Sequence, residues 1–136
     1  MGPAAGDVAG AETQFKDVIR RSPAFAKAHF SLGAIHEAAG RRPAAIEEYA
    51  IAVRSDPDLA EARVRLAGVL QASGQLHAAF AQYESAVKLD PGALDAWLGG
   101  ARTLIGLHRN VDADEWLGRA RRIYPDRPEL RELQGR

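Results

Sequence analysis

Residues 56–91, DPDLAEARVRLAGVLQASGQLHAAFAQYESAVKLDP, contain one full period of a repeat that extends through most of the chain. The stretch runs from one Asp-Pro pair to the next, and prolines also stand one period before and one period after it. Pro23, Pro57, Pro91 and Pro125 are spaced 34 residues apart. A fixed period of roughly 20–50 residues is typical of stacked-repeat folds. The stretch therefore predicts a chain built from structurally equivalent units.

Each period contains two helical segments separated by a turn. Apolar residues recur at spacings of three and four, and no stretch shows sustained alternation of period two, so strands are not expected. The predicted first helices span residues 24–39, 58–73 and 92–107, and the predicted second helices span residues 43–55, 77–89 and 111–123.

The residues at the ends of the first helices predict how those helices start and stop. Ser22-Pro23, Asp56-Pro57 and Asp90-Pro91 each combine a favoured N-cap with a proline suited to the first turn. Gly40 and Gly74 are suited to the left-handed conformation that ends a helix. His108 stands at the third equivalent position. We therefore expect the third turn to be reshaped or looser.

Helical hairpins of this kind cannot bury their apolar faces alone, and stacking of neighbouring hairpins produces one continuous core. We predict an all-α fold, an α-solenoid of antiparallel helical hairpins with about eight helices. Asp7 is expected to cap a helix over residues 8–21. The predicted single domain spans residues 1–136 and comprises a tail at 1–7, a half repeat at 8–25, repeats at 26–59, 60–93 and 94–127, and a partial capping helix at 128–136.

Residues at fixed positions of each period match a known repeat pattern, in which the first helix carries Trp, Leu-Gly and Tyr and the second carries Ala, Phe, Ala and Pro. The matching residues are His29, Leu32-Gly33, His36, Ala45, Tyr49, Ala52 and Pro57, then Arg63, Leu66-Ala67, Leu70, Ala79, Tyr83, Ala86 and Pro91, then Trp97, Gly100-Ala101, Leu104, Ala113, Leu117, Ala120 and Pro125. By these residues the chain resembles the tetratricopeptide repeat (TPR) family over about residues 8–134. The alanine and glycine positions are expected at close helix crossings, and Trp97 and Trp116 are expected in the core.

The resemblance implies a right-handed superhelix whose first helices line a concave groove for an extended peptide or a partner's helix. The implied groove residues are Lys27, Phe30, Ser31 and Ala34 in the first repeat, Glu61, Val64, Arg65 and Gln71 in the second, and Asp95, Leu98, Arg102 and Ile105 in the third.

Three of these groove residues form an apolar series. Phe30, Val64 and Leu98 recur at the repeat period, and Arg65 and Arg102 flank them, where they could bind a carboxylate. Alternatively, the three apolar residues pack against neighbouring helices.

Two specialised TPR functions are not supported by the residues present. Chaperone-binding TPRs use a carboxylate clamp that opens with Lys and Asn, where this chain has Phe30 and Ala34. The TPRs of O-linked N-acetylglucosamine transferases carry a ladder of asparagines, whereas Asn110 is the single asparagine of this chain.

The composition excludes several other kinds of function. Lys plus Arg and Asp plus Glu each number 18, so no net charge directs the chain to nucleic acid or an anionic membrane. There is no cysteine.

No apolar run reaches the roughly 18 residues of a membrane span, so no membrane insertion is expected. Residues 1–10 lack the pattern of a signal peptide, which favours a cytoplasmic location. Arg outnumbers Lys by 15 to 3, which suggests a bacterial source.

Neither a catalytic site nor a cofactor site is predicted. His29 and His36 share a helix face, but they occupy packing positions of the repeat, and the sequence places no carboxylate or third histidine near them, so no metal site is expected. No nucleophile, base and orienting group occur together, and no phosphate-binding loop follows a strand. We therefore expect a protein that is not an enzyme.

The function predicted is a protein–protein interaction scaffold that binds a peptide or partner helix in the groove. The alternative is a substrate-recruiting TPR module of a larger bacterial glycosyl- or sulfotransferase, or of an envelope assembly system. The terminal half repeats carry the apolar residues Phe15, Val18, Leu130 and Leu133, which suggests either a segment of a longer protein or self-association through the ends.

Overall fold

The computed structural model describes residues 3–21 and 25–134 and contains eight α-helices and no strand within those ranges. The predicted all-α fold of helical hairpins is therefore confirmed for this part of the chain. The helices are α1 (Pro3–Arg21), α2 (Ala26–Ala38), α3 (Arg42–Ser55), α4 (Ala60–Ala72), α5 (Leu76–Leu89), α6 (Leu94–Gly106), α7 (Asn110–Ile123) and α8 (Pro128–Leu133).

The chain divides into two compact units, Met1–Ala62 and Arg63–Arg136, with the boundary inside α4. In the first unit α2 packs against α3 to form a hairpin, and α1 packs against α2. In the second unit α6 packs against both α5 and α7, and α8 contacts α6 and α7. Each second helix therefore contacts the first helix that precedes or follows it, as the repeat pattern predicts.

The Asp-Pro pairs form turns between repeats, and the predicted N-cap role is wrong. The backbone carbonyl of Asp56 accepts a hydrogen bond from the Leu59 N–H at 3.1 Å, and its Oδ1 accepts one from the Asp58 N–H at 3.2 Å. The equivalent bonds recur at Asp90. This is a β-turn with Asp first and Pro second, a favoured arrangement. The first helices consequently begin three residues after the proline, at Ala60 in the second repeat.

The first helix begins earlier than the sequence pattern indicated. α1 starts at Pro3, so residues 3–7 are helical and Asp7 lies inside the helix. Proline is favoured at the first position of a helix, and the alanines that follow it have high helix propensity. The Ser22-Pro23 pair lies outside the described residues.

The three hairpin turns have the same backbone geometry, so the expected reshaping of the third turn is wrong. Gly40 and Gly74 have φ of 77° and 79°, and His108 has φ of 60°. In the third turn the His108 N–H bonds the Ile105 carbonyl and the Arg109 N–H bonds the Leu104 carbonyl, both at 2.9 Å. The glycine turns make the same pair of bonds. This is the Schellman arrangement of a helix C-terminus, here with a histidine where glycine is usual.

We expect the His108→Gly variant to be more stable than the parent chain by about 1 kcal/mol, because a side chain in the left-handed region is strained by roughly that amount. The His108 side chain is exposed, so little contact is lost. Urea unfolding followed by circular dichroism measures the change. Gly74→Ala is the matched control and should be less stable by a similar amount, whereas equal stability of His108→Gly and the parent would show that the turn is unstrained.

Small residues lie where the helices approach most closely. Ala45, Ala79 and Ala113 are at most 2% exposed. A Cβ placed on Gly33 would lie 2.6 Å from Cδ1 of Tyr49, a side chain that is itself fully buried. The predicted close crossings are therefore confirmed.

One pair of side chains spans each repeat hairpin with a separation of 19 residues. Because the two residues lie on facing helices, the pair joins the first helix of each repeat to the second. The pairs are His29 with Glu48 (Nδ1 to Oε1, 2.8 Å), Arg63 with Gln82 (Nη1 to Oε1, 3.1 Å), and Trp97 with Trp116 (ring centroids 4.7 Å apart). The Glu48 contact corrects the expectation that no carboxylate lies near His29. The burial of Trp97 and Trp116, at 2% and 3% exposed, confirms their predicted place in the core.

The last helix is part of the core of the second unit. Leu130 is fully buried, and Arg121 donates a hydrogen bond to Oε1 of Gln134 at 2.5 Å. Leu130 therefore does not offer the exposed apolar surface that the sequence suggested for this end. The side chain of Val18, named with it, lies outside the described residues.

Candidate functional site

The predicted groove residues of the second unit lie in two stripes along its first helices. Residues at spacings of three and four share a helix face. On α4 the stripe contains the predicted Val64 and Gln71 together with Gly68, and on α6 it contains Asp95, Leu98, Arg102 and Ile105; Glu61 precedes the boundary and belongs to the first unit. α6 uses a different face for its hairpin partner, since a Cβ on Gly100 would lie 2.5 Å from Cζ2 of Trp116 on α7.

Tyr83 on α5 connects the two stripes within the second unit. Its hydroxyl donates a hydrogen bond to Oε1 of Gln71 on α4 at 2.7 Å. Its ring lies against the backbone of α6, because a Cβ on Gly99 would collide with the ring carbons. Tyr83 is only 4% exposed, so it forms the floor between the stripes. We call Tyr83, Gln71, Gly68, Gly99 and Arg102 the Tyr83 site.

Two charged residues of the α6 stripe, Asp95 and Arg102, act on the hydroxyl of Tyr83. Burial raises the pKa of the Tyr83 hydroxyl above its usual value of 10.0, with Arg102 acting to lower it and Asp95 acting to raise it. The hydroxyl therefore stays protonated and remains a donor at neutral pH. Asp95 and Arg102 are both exposed.

The corresponding surface of the first unit is different. Tyr49 donates its hydroxyl proton to Oε1 of Glu37 at 2.7 Å, which is the same connection in the preceding repeat. Phe30 packs its ring 5.6 Å from that of Tyr49. Lys27 is exposed, whereas Ser31 and Ala34 are half-buried. In the first unit Tyr49 therefore occupies the position equivalent to Tyr83, but its partner is the acidic Glu37 and the ring of Phe30 lies beside it.

The apolar series predicted for the groove is only partly available at the surface. Leu98 is 8% exposed and therefore packs in the core of the second unit. Val64 and Ile105 are half-buried, and Arg65 is exposed. The structure thus places the predicted residues of the second unit on first-helix faces, but the accessible apolar surface comes from Val64 and Ile105 rather than Leu98.

The pairing of Tyr83 with Gln71 was not anticipated from the sequence. Its signal is a constant separation of 12 residues, which recurs as Glu37 with Tyr49. In the third repeat the same two positions carry Ile105 and Leu117. Replacing both members of a buried polar pair by apolar residues leaves no group unsatisfied, so a joint change of this kind is tolerated.

The histidines are not arranged as a metal site. His29 contacts Glu48, and the ring of His36 accepts a hydrogen bond from Nε of Arg41 at 2.9 Å. Among the side chains that the structure describes, no three of His, Asp and Glu come together in a way that could hold a metal ion.

A cleft lies between α5 and α7 in the second unit. This cleft of about 160 Å³ is lined by Phe80, Trp116 and charged side chains. Arg109 lies 6.0 Å from the centroid of Phe80 and bonds Asp112 at 2.8 Å, and Arg119 lies 5.4 Å from the centroid of Trp116. The chain's own arginines therefore cover the aromatic surface of this cleft.

The fold and these surfaces define a helical-hairpin repeat protein with exposed first-helix faces. Two sequence models described as tetratricopeptide repeat match residues 4–60 and 70–136. The chain belongs to the tetratricopeptide repeat family, and the resemblance inferred from the repeat pattern is confirmed.

Solved structures share this fold at low sequence identity. MamA superposes with a TM-score of 0.86 at 23% identity, over 97% of this chain and 77% of the MamA chain. YrrB, described as a TPR protein with an unusual peptide-binding site, superposes with a TM-score of 0.79 at 22% identity, over 95% of this chain and 66% of YrrB. The TPR2B domain of yeast Sti1, solved as a complex with pHsp70, gives a TM-score of 0.71 at 20% identity, over 80% of this chain and 92% of that domain.

No curated protein matches the chain in sequence. None of the helices in the described ranges is both long enough and apolar enough to cross a lipid bilayer.

Proposed function

We propose that this chain is a non-enzymatic interaction module and that the first-helix face of its second unit binds an extended segment of another protein. The observation that carries the proposal is the floor that Tyr83 forms between the α4 and α6 stripes. Arg102 and Gln71 offer hydrogen-bond donors there, while Val64 and Ile105 offer apolar contact. A few placed polar groups beside apolar surface are typical of sites that bind polypeptide.

The buried titratable side chains support a structural rather than a catalytic role. His29 is bonded to Glu48 and Tyr83 to Gln71, and each pair joins a first helix to a second helix. Two of the solved structures with this fold, those of YrrB and the Sti1 domain, are described by a peptide-binding site or by a complex with pHsp70. These likenesses favour binding of a polypeptide by this chain.

The proposal predicts that Val64→Glu weakens peptide binding by about tenfold or more, because a carboxylate replaces half-buried apolar contact surface. Peptides selected from a random display library against the whole chain serve as probes, and isothermal titration calorimetry gives their dissociation constants. Ala81→Glu is the matched control, since it adds the same charge to an exposed alanine on α5 and should leave affinity unchanged.

Circular dichroism confirms that both variants are folded. Undiminished binding by a folded Val64→Glu variant, or an equal loss in Ala81→Glu, would show that the selected peptides bind elsewhere on the chain.

A further inference from the structure

Gly68 faces the hydroxyl of Tyr83 and leaves room for a small group there, a space that we call the gap. A Cβ on Gly68 would have a single neighbour within 4 Å, the Tyr83 hydroxyl at 3.9 Å, so the space beside it is open. Gly99 lets α6 lie directly on the ring of Tyr83. The positions equivalent to Gly68 carry Ala34 and Arg102, and those equivalent to Gly99 carry Ser31 and Arg65. Glycine at both positions is therefore specific to the surroundings of Tyr83 between α4 and α6, where no side chain at Gly68 restricts the approach of a ligand.

The polar groups at this gap are donors. Tyr83 donates to the carbonyl oxygen of the Gln71 carboxamide, which leaves the two N–H groups of that carboxamide for another acceptor. Arg102 follows Gly99 by three residues on the same face of α6 and contributes a guanidinium group. A ligand group that satisfies both must accept hydrogen bonds, and the positive charge favours an anion.

We infer that Gln71 and Arg102 form a subsite for the carboxylate of an aspartate or glutamate side chain within the bound segment. The inference rests on the proposed function. Arginine and carboxylate form charge-assisted hydrogen bonds in matching planar geometry. Asp95 on the same stripe opposes a doubly charged phosphate more strongly than a carboxylate. Tyr83 is a positioning residue, because it holds the Gln71 carboxamide with its N–H groups available.

The carboxylate belongs to a residue inside the segment and not to a chain end. Val64 lies one turn before Gly68 on α4, and Ile105 lies almost one turn after Arg102 on α6, so apolar contact surface continues on both sides of the gap. A segment that contacts both Val64 and Ile105 must extend beyond the gap on both sides. The expected ligand is an extended peptide with one acidic residue between apolar residues.

The first experiment compares peptides that differ only in charge. Display selection against the whole chain should yield peptides that share an acidic residue with apolar neighbours. Replacement of that residue by Asn or Gln in the synthetic peptide should weaken binding by about 10-fold to 100-fold, the effect of one charge-assisted hydrogen bond. Amidation of the peptide's C-terminus should leave affinity unchanged, whereas a loss on amidation would assign the subsite to a terminal carboxylate and overturn the inference.

The second experiment identifies the residues of the protein that cause the preference for the acidic peptide over the amide peptide. In Arg102→Gln the acidic and amide peptides should bind with nearly equal affinity, because the charge that distinguishes them is gone. Tyr83→Phe should weaken binding of the acidic peptide several-fold, since Gln71 loses its orienting hydrogen bond, and should leave binding of the amide peptide unchanged. Tyr49→Phe removes the equivalent hydroxyl from the first unit and serves as the matched control without effect on either peptide.

The outcomes separate this inference from the proposed function. Peptides that bind in a Val64-dependent manner without an acidic preference would overturn the carboxylate subsite and leave the proposed function standing. An acidic preference that persists in Arg102→Gln would place the subsite elsewhere and would also overturn the inference. Peptide binding that is unchanged in Val64→Glu would overturn both the carboxylate subsite and the proposed function.

Discussion

Replacing Trp116 with alanine is expected to lower the free energy of unfolding of the second unit by about 3–5 kcal/mol, the range for removing a large aromatic side chain from a core. Trp116 packs 4.7 Å from the ring of Trp97 and 5.0 Å from that of Phe80. Its indole N–H also donates to the Trp97 carbonyl at 2.8 Å. Alanine removes the ring contacts and the hydrogen bond together. Urea unfolding monitored by circular dichroism measures the loss.

The contact between Trp116 and Gly100 predicts that Gly100→Leu changes stability in opposite directions with and without the Trp116 ring. In the parent chain Gly100→Leu should destabilise the fold by about 1–3 kcal/mol, because its Cβ would lie 2.5 Å from Cζ2 of Trp116. In the Trp116→Ala background the same leucine should stabilise the fold, because it fills the space that the indole leaves. The other two repeats carry leucine at this position, as Leu32 and Leu66.

The matched control for that cycle is Gly118→Leu on α7. A Cβ on Gly118 meets nothing within 4 Å, and leucine has the higher helix propensity, so stability should be unchanged or raised. An equal loss from Gly100→Leu in both backgrounds would show that Gly100 and Trp116 do not share the same space.

The second large effect is expected at the last helix, where Leu130→Ala should lower the free energy of unfolding by about 2–5 kcal/mol. Leu130 is fully buried, although α8 contains six residues. Its side chain is therefore a main anchor of α8 on α6 and α7. Leu133 in the same helix is half-buried, and Leu133→Ala is the control with the smaller expected loss. Equal and small losses in both variants would show that α8 does not complete the core.

The helices and hairpin turns were predictable from the sequence because they depend on local pattern. Gly40 and Gly74 located the first two hairpin turns and predicted their own backbone conformation, and the 34-residue period located the third turn at His108. The pattern failed where two local interpretations compete. Asp followed by Pro suits both a helix start and a β-turn, and in this chain the carboxylate of Asp56 bonds the turn.

The sequence predicted which helix faces carry the residues of the candidate site. It did not predict which of their side chains are buried or which contact each other. Repeat position placed Gln71 and Arg102 on first-helix faces. It did not show that Leu98 is buried, that Tyr83 bonds Gln71, or that Gly68 leaves a gap. Those facts depend on which side chains meet across two helices, and the residues that meet are 12 or more positions apart in the chain. Constant separations of 12 and 19 residues were the available signal, since both recur in successive repeats.

The sequence by itself determined the period, the helical hairpin, the family and the positions of the small and large core residues. These follow from regular spacing, because residues at the same place in each period experience the same local geometry. The tertiary structure decided how each repeat departs from the pattern. A contact between the rings of Trp97 and Trp116 replaces a hydrogen bond between two side chains, Gly100 makes room for the Trp116 ring, and Tyr83 lies between two glycines. These departures depend on contacts between side chains on different helices. Only the packed fold specifies which two side chains meet.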